Sequence, residues 1–364
     1  MEKINNAIAT LENSPLFNLS LASKELFHSN FLEWLIKTDS MRTVTTALLR
    51  EFAGGIDLNL DTLQKPKRED NNFDLTLKVQ NHSGKQYRIV IENKVKSIPL
   101  QEQLNEYSTK LVKSFAGEET VAILLSLAAP DFFLDDRYSP GNGGPVWRYY
   151  GYDALLRCLE RGRSNDPYHD ALLTDYRNFI RGLLGLQTAI HDTFRRYPEA
   201  LINPFDWPQK KERSLYSQLK EIRMHDIFEK WRMCCLKEDL KKCFESGELD
   251  FETGFSRGSG MLNILPKARG DKPFYCVSCQ GKQLRQVLVK PDKRAGIFQL
   301  AKAGLNKREW FLAQDGTALP ECGEAENFYF CRYGDNFAYR YEELADFDRL
   351  KKLAGDLLSA PHPR

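Results

Sequence analysis

The chain has 364 residues, of which 42% are hydrophobic, so it exceeds one ordinary domain and can build more than one core. Its 52 Lys and Arg nearly balance its 50 Asp and Glu, which excludes the strongly cationic class of sequence-blind nucleic-acid coat proteins. It has no apolar run of about 18 residues, no apolar signal segment after Met1, and no dense cysteine framework. We therefore expect a two-domain cytoplasmic protein with reduced thiols.

The first half of the chain alternates helical and strand-like segments. Residues 21–37 place apolar groups at the three-and-four spacing of a helix, and Ser23 is a suitable N-cap for it. The segments that follow are, in order, a strand at 73–79, a turn at 82–85, a strand at 87–94, a helix at 102–114, a buried strand at 120–127 and a helix after residue 152. This order predicts an α/β domain over residues 1–200, with a mixed sheet flanked by helices.

The second half predicts a different architecture. Two long helices are expected over about 168–195 and 209–247, separated by Pro204 and Pro208, because prolines cannot lie inside a continuous helix. Beyond them, strand-like segments at 261–265, 286–289 and 328–333 precede a helix at about 341–358. We therefore predict an α+β domain over 201–364 that begins with the 209–247 helix, and the sequence does not indicate its role.

Two carboxylates and a lysine in the predicted hairpin form the candidate catalytic set. Asp74 lies in its first strand, while Glu92 and Lys94 lie two residues apart in its second, so that both face the same side. Hydrolysis of a phosphodiester requires a bound cation, an activated water and a group that positions that water. Asp74, Glu92 and Lys94 are of the residue types that meet these needs.

Mg²⁺ is the expected cofactor, because this site offers oxygen ligands and Mg²⁺ keeps several of its own waters. We expect it to bind one oxygen each from Asp74 and Glu92 and the backbone carbonyl of Asn93, and Mn²⁺ to substitute for it. Lys94 would then contact the attacking water and the scissile phosphate as a point charge.

A solvated hairpin face is the competing interpretation of the same residues. Asp74 and Glu92 could form surface ion pairs with the lysines and arginines that alternate along the two strands. Both acids, however, interrupt apolar segments, Asn72-Phe-Asp-Leu and Val90-Ile-Glu-Asn. A charge among apolar side chains is costly unless it is paired or bound to a metal, and this favours the metal site.

Asp74 followed by Ile91-Glu92-Asn93-Lys94 resembles the motif of the PD-(D/E)xK nuclease superfamily, with Phe73 where the motif has proline. The resemblance implies a restriction-endonuclease-like core and a metal-dependent nuclease that hydrolyses nucleic acid, with DNA expected in preference to RNA. The chain also resembles a bacterial and phage-associated group of these proteins of unassigned role, through residues 21–37, 69–110 and 336–342.

Three further residues are assigned by resemblance. Gln103 and Tyr107 match the Gln-x-x-x-Tyr helix of the RecB-like branch, which implies a supporting role at the site. In the same family an acidic residue lies on the first core helix, and Glu25 is the candidate for a supporting or second-metal ligand, although the helix dipole alone would also favour an acid there. His28, one turn later, is expected to be a structural histidine.

The sequence leaves two questions about binding partners open. The basic residues near the hairpin could line a phosphate groove or be ordinary solvated surface: Lys65, Lys67, Arg68, Lys94, Lys96, Lys110 and Lys113. The alternative function is a catalytically silent nuclease-fold module that binds nucleic acid or protein, with defence against mobile DNA as its candidate role. A protein partner would then dock on the C-terminal domain.

Overall fold

A computed structural model of the protein describes residues 1–21, 24–95, 101–130, 132–141, 143–208, 213–245, 247–256, 258–267, 274–289, 328–330 and 337–359. The chain forms two compact units, Met1–Ile190 and His191–Arg364. Among the residues that the structure describes, none of the helices combines the length and the apolar character needed to span a bilayer.

The first unit is a mixed sheet flanked by helices, as predicted. Its helices are α1 (Glu2–Glu12), α2 (Pro15–Ser20), α3 (Lys24–Lys37), α4 (Arg42–Ala53), α5 (Gln101–Ser114), α6 (Tyr152–Glu160) and α7 (Pro167–Arg196), the last of which continues into the second unit. Its strands are β1 (Leu58–Asn59), β2 (Lys67–Asp70), β3 (Phe73–Asn81), β4 (Gln86–Lys94), β5 (Glu119–Ser126), β6 (Arg137–Tyr138) and β7 (Trp147–Gly151). The sheet order is β1-β3-β4-β5-β7-β6, with β2 paired to β3.

The predicted hairpin is the β3–β4 pair. These strands are antiparallel, and their ladder runs from Leu75 opposite Ile91 to Gln80 opposite Gln86. At the turn, the Asn81 side chain accepts hydrogen bonds from the backbone N–H groups of Ser83 and Lys85. On its other edge β4 pairs with β5 in parallel, and β5 pairs with β7 in parallel. The catalytic candidates therefore lie on strands that are held on both sides.

One face of this sheet is covered by α5. A buried cluster joins the helix to β3, β4, β5 and β7, and its members are Phe73, Val90, Leu104, Leu111, Phe115, Ala122, Leu124, Tyr138 and Trp147. The indole N–H of Trp147 donates to the Ser108 hydroxyl at 2.8 Å, so the polar atom of this large side chain is satisfied within the core. The cluster fixes the position of α5 relative to the end of β4.

A buried aromatic group around His28 lies where α3 meets α6 and α7. The His28 ring is fully buried, packs against Tyr152 and Phe179, and forms a 2.9 Å hydrogen bond through Nδ1 with the Tyr176 hydroxyl. Its Nε2 has no hydrogen-bond partner among the described residues. Burial lowers the pKa of His28 to about 3, because the charged imidazolium would lie in an apolar environment. His28 is thus held neutral by the fold.

The neutral state of His28 makes the stability of the protein depend on pH. In the unfolded chain the imidazole takes up a proton near its usual pKa of 6.5, whereas the buried ring does not. The stability that neutral, buried His28 contributes is therefore complete above pH 6.5 and is lost as the pH falls towards 3. We expect the free energy of unfolding to fall by about 2 kcal/mol more between about pH 6.5 and 4.5 in the wild type than in His28→Leu.

Urea unfolding followed by circular dichroism at several pH values measures this difference in slope. His82→Gln is the matched control, because the His82 side chain is 62% exposed in the β3–β4 turn. An equal pH slope in the wild type and in His28→Leu would contradict the prediction.

The second unit contains an antiparallel sheet of six described strands. These are β8 (Leu249–Ser256), β9 (Ser259–Pro266), β10 (Phe274–Gln280), β11 (Gln283–Val289), β12 (Phe328–Phe330) and β13 (Phe337–Glu343), in the order β12-β13-β11-β10-β9-β8. The described helices of this unit after α7 are α8 (Pro198–Ile202), α9 (Leu215–Glu221), α10 (His225–Lys241) and α11 (Phe347–Ser359). Helix α10 packs against β8 and β9, and α11 packs against β9 and β10. The predicted α+β character is present.

The single helix predicted over about 209–247 is instead two helices, α9 and α10. Residues 222–224 separate them, and Arg223 has a φ of 53°, which is left-handed and incompatible with a continuous helix. The apolar spacing continues across the break, because both helices bury one side in the same unit, and so the sequence does not reveal it. Residues 209–212 lie outside the described residues.

The strands and the C-terminal helix predicted for this unit agree with the structure in part. The strands predicted at 261–265 and 286–289 correspond to β9 and β11. The strand predicted at 328–333 is described only as β12, Phe328–Phe330, and the remainder lies outside the described residues. The C-terminal helix begins at Phe347, because β13 extends to Glu343.

Candidate active site

Asp74, Glu92 and Lys94 come together where β3 begins and β4 ends. The carboxylate of Asp74 accepts a 2.8 Å hydrogen bond at Oδ2 from the backbone N–H of Asn93. The ammonium of Lys94 lies 2.7 Å from Glu92 Oε1. The last ladder pair of these two strands is Leu75 opposite Ile91, so Asp74 spans the end of the hairpin with its side chain. The three side chains therefore share one local environment.

Glu92 is an unusual carboxylate because it is almost completely buried. Its side chain is 2% exposed, and that of Lys94 is 12% exposed. Burial, followed by the repulsion from Asp74, raises the pKa of Glu92 to about 7, and the attraction of Lys94 opposes this shift without cancelling it. At Glu92, Lys94 therefore does not offset the combined effect of burial and of Asp74.

The second oxygen of Glu92 indicates where a positively charged ion would bind. Glu92 Oε2 is buried and has no hydrogen-bond partner among the described residues. A buried carboxylate oxygen without a donor is costly, and an oxygen-binding divalent cation would relieve that cost. Carboxylate oxygens are donors that Mg²⁺ and Mn²⁺ prefer, and Asp74 and Glu92 supply such oxygens here, so the residues present fit either ion.

The predicted role of Glu25 stays a prediction. Glu25 lies in the first turn of α3, but its side chain is outside the described part of the structure. Within that described part, no group of three or more His, Cys, Asp or Glu side chains is arranged to hold a metal ion.

Gln103 and Tyr107 lie on the face of α5 that meets the sheet. Gln103 Nε2 donates to the Tyr107 hydroxyl at 3.0 Å, and the Tyr107 ring packs edge-on against Phe73 with centroids 5.9 Å apart. Burial, followed by the negative charge of Glu92, raises the pKa of Tyr107. The pair therefore lies beside Glu92, and the spacing of four residues places both side chains on one helix face.

The side chain of Asn93 lies on the opposite face of β4. It is buried, and its Oδ1 accepts a 2.7 Å hydrogen bond from the Tyr152 hydroxyl at the first residue of α6. The sequence predicts a helix after residue 152 but no functional role for Tyr152. The only sequence signal is the alternation that turns Asn93 away from Glu92 and Lys94, and it does not identify a partner 59 residues away.

The basic residues near the hairpin differ in their contacts with other side chains. Arg68 pairs with Glu33 at 3.1 Å, and the Lys110 ammonium lies 5.9 Å from the centroid of the Phe73 ring. Lys67 is exposed on β2, and Lys96 lies outside the described residues. A phosphate groove therefore stays a prediction.

Comparison with known protein families gives a match to this region. The model of the PD-(D/E)XK nuclease superfamily matches residues 16–178, which include all of the first sheet and the three clustered residues. No curated protein and no solved structure gives a significant match to the chain. The RecB-like branch and the Gln-x-x-x-Tyr assignment stay predictions. Residues 16–178, with Asp74, Glu92 and Lys94 at the end of the β3–β4 hairpin, are thus similar to the PD-(D/E)XK nuclease superfamily.

Proposed function

We propose that the protein is a Mg²⁺-dependent nuclease that hydrolyses the phosphodiester bonds of nucleic acid, with DNA preferred over RNA. The observation that carries this proposal is the buried carboxylate of Glu92, whose Oε2 has no hydrogen-bond partner among the described residues and whose neighbours are Asp74, Lys94 and the Tyr107 hydroxyl. A structural ion pair would satisfy both carboxylate oxygens, whereas a metal ligand keeps one oxygen available for the ion.

The proposed metal ligands are Asp74, Glu92 and the backbone carbonyl of Asn93, with Glu25 as a further candidate. In a β-strand, the N–H and C=O groups of one residue point towards the same neighbouring strand. Since the Asn93 N–H donates to Asp74, the Asn93 carbonyl is expected on the side of β4 where Asp74 lies. When bound, Mg²⁺ would neutralise charge on the phosphate and lower the pKa of a water molecule.

Lys94 is the proposed partner of the water and the phosphate. Its ammonium has three donors and is oriented by Glu92 Oε1 at 2.7 Å, which restricts the side chain before substrate binds. The positive charge then stabilises the negative charge that develops on the phosphate oxygens. Tyr107 supports this arrangement by packing α5 against Phe73, the neighbour of Asp74 on β3, and Gln103 donates to the Tyr107 hydroxyl.

Metal dependence provides the direct test of the proposed function. The purified full-length protein is expected to cleave nucleic acid when MgCl₂ or MnCl₂ is added and to lose this activity in EDTA. Mn²⁺ should also raise the thermal unfolding temperature of the wild type, because a ligand that binds only the folded state stabilises it. If neither metal supports cleavage of any nucleic acid and Mn²⁺ does not bind, the proposal is wrong.

Substrates compared at equal nucleotide concentration test the preference for DNA. Duplex DNA, single-stranded DNA, duplex RNA and single-stranded RNA separate the four classes, and circular DNA separates internal from end-dependent cleavage. RNA cleaved faster than DNA would overturn the proposed preference and leave the nuclease proposal intact. Tight binding without cleavage, independent of magnesium, would favour the alternative of a catalytically silent module.

A further inference from the structure

We infer that Tyr152 is a positioning residue for the proposed metal site, because its hydroxyl holds the side chain of Asn93, the residue that links Glu92 to Lys94. This inference rests on the proposed nuclease function. It concerns a residue on the face of the sheet opposite to the reacting groups, which would not touch the substrate or the metal.

The hydrogen bond between Tyr152 and Asn93 is short and buried. The phenol O–H donates to Asn93 Oδ1 at 2.7 Å, and both residues are about 1% exposed. Tyr152 is the first residue of α6 and follows directly from β7, so its backbone is fixed by the sheet on one side and by the helix on the other. The contact therefore joins the end of β4 to a rigid part of the first unit.

Asn93 is the residue through which this contact reaches the site. Its backbone N–H donates to Asp74 Oδ2 at 2.8 Å, and its two chain neighbours are Glu92 and Lys94. A rotation of the Asn93 backbone would change the hydrogen bond to Asp74 and would reorient Glu92 and Lys94 relative to each other. The Asn93 side chain, held by Tyr152 on the opposite face, opposes such a rotation.

The ring of Tyr152 is itself packed against His28. The His28 ring packs edge-on against it, with centroids 5.2 Å apart and an interplanar angle of 86°. His28 in turn bonds through Nδ1 to the Tyr176 hydroxyl on α7. Three elements, α3, α6 and α7, thus determine where the Tyr152 hydroxyl lies relative to β4. Polar partners that orient metal ligands in this way commonly change metal affinity or activity by 10- to 100-fold when removed.

Tyr152→Phe tests the inference, because it removes the hydroxyl and keeps the ring that packs on His28. The expected result is a roughly 10- to 100-fold weaker Mn²⁺ affinity, measured by electron paramagnetic resonance without substrate, and a matching rise in the Mn²⁺ concentration that gives half-maximal cleavage. Tyr150→Phe is the matched control. The Tyr150 hydroxyl also makes a 2.7 Å hydrogen bond, but to the Glu51 carbonyl on α4.

A purely structural role would lower the unfolding temperature of both variants and leave Mn²⁺ affinity unchanged. The inference is therefore overturned if Tyr152→Phe binds Mn²⁺ as tightly as Tyr150→Phe. A second test introduces Tyr152→Phe into an Asn93→Leu background, where the acceptor is already absent. There the loss should shrink to less than about 3-fold, because the two side chains act through one contact. An undiminished loss in that background would contradict the route through Asn93.

Failure of this inference is distinguishable from failure of the proposed function. If the wild type neither binds Mn²⁺ nor cleaves nucleic acid, the proposed function fails, and the positioning role fails with it. If the wild type does both and Tyr152→Phe equals the control, only the positioning role fails.

Discussion

Glu92→Gln is expected to reduce metal-supported cleavage by roughly 100- to 1,000-fold and to leave the metal-free protein at least as stable as the wild type. The amide is a poor ligand in place of a carboxylate, so the metal site is lost. The buried charge is lost as well, and burial together with repulsion from Asp74 outweighs the attraction of Lys94 in this environment. Loss of function with unchanged or higher stability is the signature of a group retained for chemistry.

Asp74→Asn and Lys94→Met should each reduce cleavage to a similar extent, for different reasons. Asp74→Asn removes a proposed ligand, and Mn²⁺ should no longer raise the unfolding temperature of this variant. Lys94→Met removes the charge next to the phosphate, so Mn²⁺ should still bind while cleavage is lost. Comparing Mn²⁺ affinity with the rate of cleavage therefore separates ligands from the lysine.

Another glutamate–lysine pair, between the β3–β4 turn and the start of β5, provides matched controls. Lys85 Nζ lies 2.7 Å from Glu119 Oε1, the same distance as in the Lys94–Glu92 pair, but these side chains are 50% and 58% exposed. Glu119→Gln and Lys85→Met should change cleavage by less than about 2-fold, because an exposed pair contributes little. Equal losses in the control and site variants, or full activity in Glu92→Gln, would reject the assignment of the site.

Arg232→Met in the second unit is expected to lower the free energy of unfolding by about 3 to 5 kcal/mol. Arg232 is completely buried on α10, and its guanidinium donates to the carboxylate of Glu229 and to the backbone carbonyls of Leu201, Ile202 and Gly281. The substitution would leave a buried carboxylate without its cation and three carbonyls without this donor. These unpaired polar groups account for the large expected loss.

Urea unfolding of the full chain measures this loss of stability, and two further variants show whether the buried contacts of Arg232 cause it. Arg213→Met removes an exposed arginine that pairs with Glu221 in the same unit, and it should cost less than about 1 kcal/mol. Adding Glu229→Gln to Arg232→Met should recover part of the stability, because it removes the unpaired buried charge. A loss below about 1 kcal/mol for Arg232→Met would mean that this buried network does not stabilise the unit.

Cleavage by Arg232→Met also bears on the role of the second unit. The proposed catalytic groups all belong to Met1–Ile190, whereas Arg232 lies in His191–Arg364. Full cleavage at a temperature where the second unit is unfolded would show that the first unit acts alone. Lost cleavage under the same conditions would show that the nuclease needs the second unit.

Local sequence patterns determined the elements that carry the site. Alternation along 87–94 placed Glu92 and Lys94 on one face of a strand, and turn residues at 82–85 joined that strand to the one carrying Asp74. The four-residue spacing of Gln103 and Tyr107 likewise placed both on one side of α5. These properties depend on repeats of two and 3.6 residues within one element, and short-range sequence is sufficient for them.

Only the tertiary structure decided which groups lie next to these elements. The contact of Asn93 with Tyr152 joins residues 59 apart, and that of His28 with Tyr176 joins residues 148 apart, so no local repeat indicates either. Burial raised the pKa of Glu92, because the same carboxylate on an exposed strand would not be desolvated. The break at Arg223 within the predicted 209–247 helix is also a tertiary effect, since the apolar spacing continues across it. Sequence thus specified the residue types and their faces, whereas long-range packing specified their partners and their electrostatics.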